Sequence, residues 1–278
     1  MRKSSLCEFL LFCMSSSDYF LSALLNDLNE PQQTAVTTTE GPLLILSGPG
    51  AGKTKTLTHR ITYLLAKGTD PDRILGVTFT NKAAAEMRSR IFALLAMHHK
   101  MLHAIRPPLL ATFHAFCLRL LRTHAPLLGF SSSFSLFDED DSYSLLKEIM
   151  RELHIDPKRY APSLLAHTIS SLKNELISPD VYLQDHDFDA PFPQTVHRIY
   201  QRYQERLKGL NAMDFDDLLT HAVVLLNNKN TLLEEYQDRF QYLHVDEYQD
   251  TNHAQYVLIR LLAQKHRNIA VVGDDAQA

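Results

Sequence analysis

Cysteine is scarce in this 278-residue sequence, and the three present, Cys7, Cys13 and Cys117, are odd in number and scattered. That excludes a disulfide framework and gives no zinc-ligand spacing; it fits a reducing, cytoplasmic compartment. No apolar run approaches the ~20 residues that a membrane-spanning helix needs. There is no internal repeat, no low-complexity tract and no long tail of disordered composition. Positive charge is not in excess either, since the formal net charge is −4. Met1-Arg2-Lys3 followed by Leu6–Met14 has the outline of a short signal peptide, but Glu8 interrupts the apolar stretch and no small-x-small cleavage site follows. Residues 1–13 read instead as an extension ahead of a start near Met14.

What is present is a 45% hydrophobic chain able to bury one good core or two modest ones. Its charge is unevenly spread. Residues 51–125 carry 12 Lys/Arg against 3 Asp/Glu, a local +9, while 1–50, 126–207 and 208–278 sum to −3, −5 and −5. Phosphate attraction follows the local field, so one basic region on an acidic body is compatible with nucleic acid. Uneven surface charge without a ligand explains the same numbers.

Short apolar runs at Leu43–Leu46, Ile74–Phe79, Leu109–Phe113, Tyr242–Val245 and Ile269–Val272 predict buried strands. Between them Thr54–Lys67, Ala83–Met97, Ala115–His124 and His253–Ala263 have helical spacing. This alternation predicts an α/β fold with a mainly parallel sheet. From about Pro126 to Gly209 the pattern is helical and punctuated by prolines, with Ser142–Leu153, Ser163–Leu176 and Val196–Leu207 the clearest helices. The expected organisation is a discontinuous α/β domain, 14–125 and 208–278, interrupted by an all-helical insertion at 126–207.

Ser47-Gly48-Pro49-Gly50-Ala51-Gly52-Lys53-Thr54 follows the first predicted strand and matches a P-loop, with Ser47 where the strict pattern has glycine. Glycines at 48, 50 and 52, with Ala51, let backbone N–H groups curl around phosphate, and the next helix presents its N-terminus to the same anion. Lys53 is positioned for the β- and γ-phosphates of ATP and the Thr54 hydroxyl for Mg2+. At the tip of a later strand, Asp246 is a carboxylate able to hold the metal and Glu247 one able to orient or deprotonate water. Together the two segments predict an ATPase.

The string Asp246-Glu247-Tyr248-Gln249-Asp250-Thr251-Asn252 resembles motif II of the UvrD/PcrA/Rep-like superfamily 1 DNA helicases. Leu28-Asn29-Glu30-Pro31-Gln32 is similar to that family's Q motif, Thr78-Phe79-Thr80-Asn81-Lys82-Ala83-Ala84 to motif Ia and Thr112-Phe113-His114-Ala115-Phe116-Cys117 to motif Ib. Gly273-Asp274-Asp275-Ala276-Gln277 resembles the start of motif III, with Ala276 where an acidic residue is usual and Ala278 where a serine is. The resemblance runs from about Tyr19 to the end. It implies a RecA-like domain, ATP and Mg2+ as cofactors, and 3′–5′ movement on single-stranded DNA or single/double-strand junctions. It assigns Gln32 to adenine and Gln277 to sensing the γ-phosphate. Thr78, Thr80, Asn81, Thr112 and His114 are short polar groups suited to sugar-phosphate oxygens, with Lys82 and Arg119 adding charge. Phe79 and Phe113 are either stacking faces for unstacked bases or core residues.

The chain stops just inside motif III, so the second motor domain and its trans-cleft arginines are expected outside it. The isolated piece is expected to bind nucleotide, hydrolyse it feebly and unwind nothing. Two other readings stand beside this one: a truncated ATP- and DNA-binding remnant, and the helicase part of a RecB/AddA-like helicase–nuclease. Asp214, Asp216 and Asp217 read as a helix cap and acidic first turn, or as support beside the DNA track. Asp138–Asp141 read as another acidic helix start. His98, His99 and His103 have no carboxylate or thiol partner and read as a solvated helix end.

Overall fold

The computed structural model describes residues 16–48, 50–96, 106–185 and 190–274. The 1–13 extension, the three histidines at 98, 99 and 103, and Asp275, Ala276 and Gln277 therefore lie outside the described residues. The chain packs as two compact units, one comprising Met1–Thr112, Glu234–Asp250 and Leu262–Ala278, the other Phe113–Leu233 and Thr251–Leu261.

In the first unit, helices α1 (Ser16–Leu25) and α2 (Glu30–Thr37) lead into β1 (Leu43–Leu46), α3 (Lys53–Ala66), β2 (Ile74–Thr78), α4 (Asn81–Ala96) and β3 (Leu109–Thr112). Asn29 and Gln32 close a reciprocal capping box on α2, satisfying two of its orphan N-terminal donors.

The second unit holds α5 (Phe113–His124), β4 (Ser135–Leu136), α6 (Glu139–Glu152), α7 (Pro162–Asn174), α8 (Pro179–Asp185), α9 (Pro191–Gly209), β5 (Ala212–Met213) and α10 (Phe215–Asn228). Helix α11 (Asn230–Arg239) returns the chain to the first unit for β6 (Tyr242–Val245); α12 (His253–Ala263) and β7 (Ile269–Gly273) follow.

The five long strands form one parallel sheet in the order β1-β7-β6-β2-β3, the α/β architecture expected from the alternating pattern. Register pairs Leu46 with Gly273, Val77 with Val245 and Thr78 with Thr112. The strands' carboxyl ends thus share one edge, where ligands bind in open α/β sheets. All five residues of β2 are buried, as an interior parallel strand requires. Leu57, Ile61, Leu64, Leu65, Met87, Ile91 and Leu95 of α3 and α4 pack with Ile74, Leu110, Ala270 and Val272, each large side chain contributing roughly 1.5–3 kcal/mol. Gly76 permits this approach, because a Cβ there would stand 2.5 Å from Leu110 Cδ2.

In the second unit α6, α7 and α9 bury Leu145, Leu146, Ile149, Met150, Leu165, Ile169, Val196, Ile199, Tyr200, Tyr203 and Leu207 around one core. Besides helices this unit holds a two-residue parallel pairing of β4 with β5, too short to show as a strand pattern in the sequence. Two strand ends also differ from expectation. Strand β2 stops at Thr78 and β3 at Thr112. Phe113 opens α5, where Phe113, Phe116, Cys117, Leu120 and Leu121 form one buried helical stripe.

Candidate nucleotide site at the strand ends

The loop after β1 turns through Gly50 (φ +75°) and Gly52 (φ +87°), left-handed conformations that favour glycine. Gly52 is the N-cap of α3 and supplies no side-chain cap, so the helix presents its first turn uncapped to an anion. Lys53 and Thr54 are the first two helical residues. Ser47, the departure from the strict motif, donates its backbone N–H to Gly273 O at 3.2 Å, continuing the β1–β7 ladder.

Across the sheet edge, β6 delivers Asp246, which is 3% exposed. Thr54 Oγ1 donates to Asp246 Oδ2 at 3.4 Å. Lys53 Nζ lies 3.1 Å from Asp274 Oδ2 and 3.8 Å from Glu247 Oε2. The loop after β1 and the tips of β6 and β7 therefore meet around one lysine and one threonine. Burial works against the Lys53 ammonium, but the bond to Asp274 and the charges of Glu247, Asp274 and Asp246 outweigh it and raise its pKa. The Asp246 carboxyl is shifted up, chiefly by burial and then by the Glu247 charge, while bonds from Glu247 N–H and Thr54 pull the other way.

Gln32 reaches this loop as well. Its Nε2 donates to Ala51 O at 3.0 Å, and its Oε1 accepts from Asn29 N–H at 3.1 Å. A Cβ on Gly52 would be 2.9 Å from that Nε2, so glycine here serves close approach as well as φ. One of the amide's two donor hydrogens is left for another acceptor.

The donor set suits Mg2+ on a phosphate chain. Thr54 and Asp246 offer two hard oxygen ligands, and among the described residues no group of three or more His, Cys, Asp or Glu forms a metal cage. Mg2+ characteristically takes one or two protein oxygens and completes its shell with phosphate and water.

At the ends of β2 and β3 the polar residues divide. Thr78 is 1% exposed and donates its hydroxyl to Thr80 O at 3.1 Å, while Thr80 Oγ1 accepts from Ala83 N–H and caps α4. Thr78 thus holds the turn rather than facing outward. Asn81 and Lys82 are exposed, Phe79 is half-buried and Thr112 is 8% exposed. In the second unit Phe113 is 1% exposed, so its ring is a core residue. His114, half-buried, meets Phe215 edge-to-face at 5.9 Å, and burial lowers its pKa. Phe215 is 49% exposed, and in the sequence the acidic Asp214–Asp217 string around it gives no sign of an aromatic surface.

That string caps α10 through an Asp214–Asp217 box, as expected of a helix start, but it also does more. Lys173 Nζ, buried in α7, lies 2.6 Å from Asp214 Oδ2 and 2.8 Å from Asp217 Oδ1. Asp138–Asp141 form the corresponding box on α6.

Residues 28–278 match the family model described as the UvrD/REP helicase N-terminal domain. The chain belongs to the UvrD/REP helicase family. Proteins named ATP-dependent DNA helicase PcrA from Staphylococcus epidermidis and Staphylococcus aureus are each 44% identical over 260 residues, which is 93% of this chain and 34% of theirs. The chain spans about a third of the length of these relatives. The UvrD/REP match covers the Q-motif segment, the Lys53 loop and all strand ends described above. Gln249, Asp274 and Lys173 are residues whose roles the motifs alone did not assign.

Proposed function

We propose that this chain is the N-terminal, ATP-binding part of an ATP-dependent 3′–5′ DNA helicase or translocase. Its ligands are ATP–Mg2+ and single-stranded DNA, including single/double-strand junctions. The observation that carries the reading is the meeting of Lys53, Thr54 and Asp246 at one sheet edge. In this reading the 48–54 loop cradles the phosphates, Lys53 leaves its carboxylate partners for them, and Thr54 and Asp246 hold Mg2+. The bound metal neutralises phosphate charge. Glu247 orients or deprotonates the attacking water, Gln32 contacts the base, and Gln277, outside the described residues, senses the γ-phosphate.

For DNA we retain Thr80, Asn81 and Lys82 after β2, with Phe79 as a stacking candidate, and Thr112 and His114 from motif Ib. In the second unit Phe215 is a further candidate, an exposed ring beside His114. Base stacking on such a ring is worth about 1–3 kcal/mol per base and tolerates any base. Thr78 and Phe113 act behind the surface. We further propose the discontinuous 14–125 and 208–278 domain with 126–207 inserted. Among the described residues no helix is long and apolar enough to cross a membrane.

Removing the metal tests the site. Titration of the chain with ATP should give tight binding in Mg2+ and weaker binding in EDTA, and Asp246→Asn should remove most of that difference. Equal affinity with and without Mg2+ in the native chain would contradict the assignment of Thr54 and Asp246.

A further inference from the structure

Glu247 is held in a backbone conformation that glutamate rarely adopts, with φ +51°. A non-glycine residue there stores about 1–3 kcal/mol and persists only where its surroundings over-determine it. Part of the restraint is local. Glu247 N–H donates to Asp246 Oδ1 at 3.1 Å, and Asp250 N–H donates to Glu247 O at 3.0 Å. These bonds fix the backbone but leave the side chain, which is 41% exposed, with several rotatable bonds.

Among the described residues Gln249 makes the hydrogen bond that restrains that side chain, beside the longer ion pair with Lys53. Gln249 Nε2 donates to Glu247 Oε2 at 2.9 Å and also to Asp250 Oδ2 at 3.2 Å. The other end of the same amide, Oε1, accepts from Asp274 N–H at 3.1 Å. Gly273 makes room for this, since a Cβ there would approach Gln249 Oε1 to 3.3 Å and its backbone nitrogen to 3.7 Å. Asp274 in turn takes Lys53 on its carboxylate, and Lys53 faces Glu247 again. The amide thus closes a ring running Lys53, Asp274, Gln249, Glu247, all within the first unit. The amide donates to one partner and accepts from the other, which neither a carboxylate nor an aliphatic side chain does.

We propose that Gln249 is a positioning residue that aims the Glu247 carboxylate and ties it to the carboxyl end of β7 through Asp274 N–H. This rests on the reading of Glu247 as the residue that activates water. A carboxylate loosened by about 1 Å loses on the order of 10²-fold in rate, whereas nucleotide affinity depends on the Lys53 loop and is spared.

The test follows single-turnover hydrolysis of radiolabelled ATP with Mg2+ by the full chain, beside equilibrium ATP binding and thermal unfolding. Gln249→Leu and Gln249→Glu are each expected to slow hydrolysis about 10- to 100-fold with ATP affinity within about twofold. Gln249→Glu is the sharper variant, because it keeps an acceptor for Asp274 N–H while the donor to Glu247 and Asp250 is replaced by a charge that repels both. In a Glu247→Gln background, Gln249→Leu is expected to add nothing, as two changes acting through one group do. A native rate retained by Gln249→Glu overturns the proposal. So does a further slowing by Gln249→Leu in the Glu247→Gln background, or loss of ATP binding in both single variants. A native chain no faster than Glu247→Gln removes Glu247 as the base first, and the proposal with it.

Discussion

Each packing unit contains a lysine gripped by carboxylates, and the two clusters are built for opposite ends. In the helical unit Lys173 is 1% exposed, sits 2.6 and 2.8 Å from Asp214 and Asp217, and is enclosed by further partners. Tyr203 OH donates to Asp214 Oδ2, Gln204 Nε2 donates to Asp217 Oδ1, and the α10 capping box uses the remaining oxygens. Burial and the Asp217 charge push the Asp214 carboxyl up; burial also acts on Asp217, but Lys173 outweighs it and holds that carboxyl below the usual carboxylate range. At the sheet edge, by contrast, the Lys53 contacts are 3.1 and 3.8 Å and Glu247 is 41% exposed. A closed, fully hydrogen-bonded cluster is a clamp. A looser one at strand ends and a helix N-terminus is where, on the proposed function, phosphate displaces the carboxylates.

The largest expected effect falls on the clamp. Lys173→Met leaves Asp217 buried without its counter-charge, and breaking a buried pair in this way costs about 3–5 kcal/mol. Urea unfolding should show a loss of that size, with ATP affinity preserved in whatever remains folded. A loss below about 1 kcal/mol would mean that the clamp is dispensable and the contrast between clusters overdrawn.

The smallest expected effect concerns Lys82. Lys82 stands at the start of α4 and is solvent-exposed. Lys82→Ala should weaken single-strand binding and flatten the dependence of log affinity on log salt by about 0.7, one phosphate's worth on a single strand. An unchanged slope would take Lys82 off the DNA surface, while stability is expected to stay level, unlike in the Lys173 variant.

The contrast also explains what was legible in the sequence. The sheet and the Lys53 loop could be read because their signals are local: short apolar runs, glycines at fixed offsets, and a helix beginning at once. Asp246 and Glu247 stood out as a pair at a strand tip. The clamp could not be read, because Lys173 is 41 residues from Asp214 and looks like any lysine on an amphipathic helix. Asp274 and Gln249, 25 residues apart, became neighbours only when β7 was laid beside β6. Phe113 shows a different limit. A strand end and a helix start share the residues Thr112-Phe113, and burial of the α5 stripe decided in favour of the helix. Thr78 likewise matched a motif of exposed polar groups, yet its hydroxyl is used inside the turn.

The most direct measurement of the central claim is ATP–Mg2+ binding by Lys53→Ala, read by calorimetry alongside thermal unfolding. The open cluster is expected to lose about 10²-fold or more in affinity, since a charge-assisted contact to phosphate disappears, while the chain remains folded. A folded Lys53→Ala chain that binds ATP–Mg2+ as tightly as the native one would contradict the account.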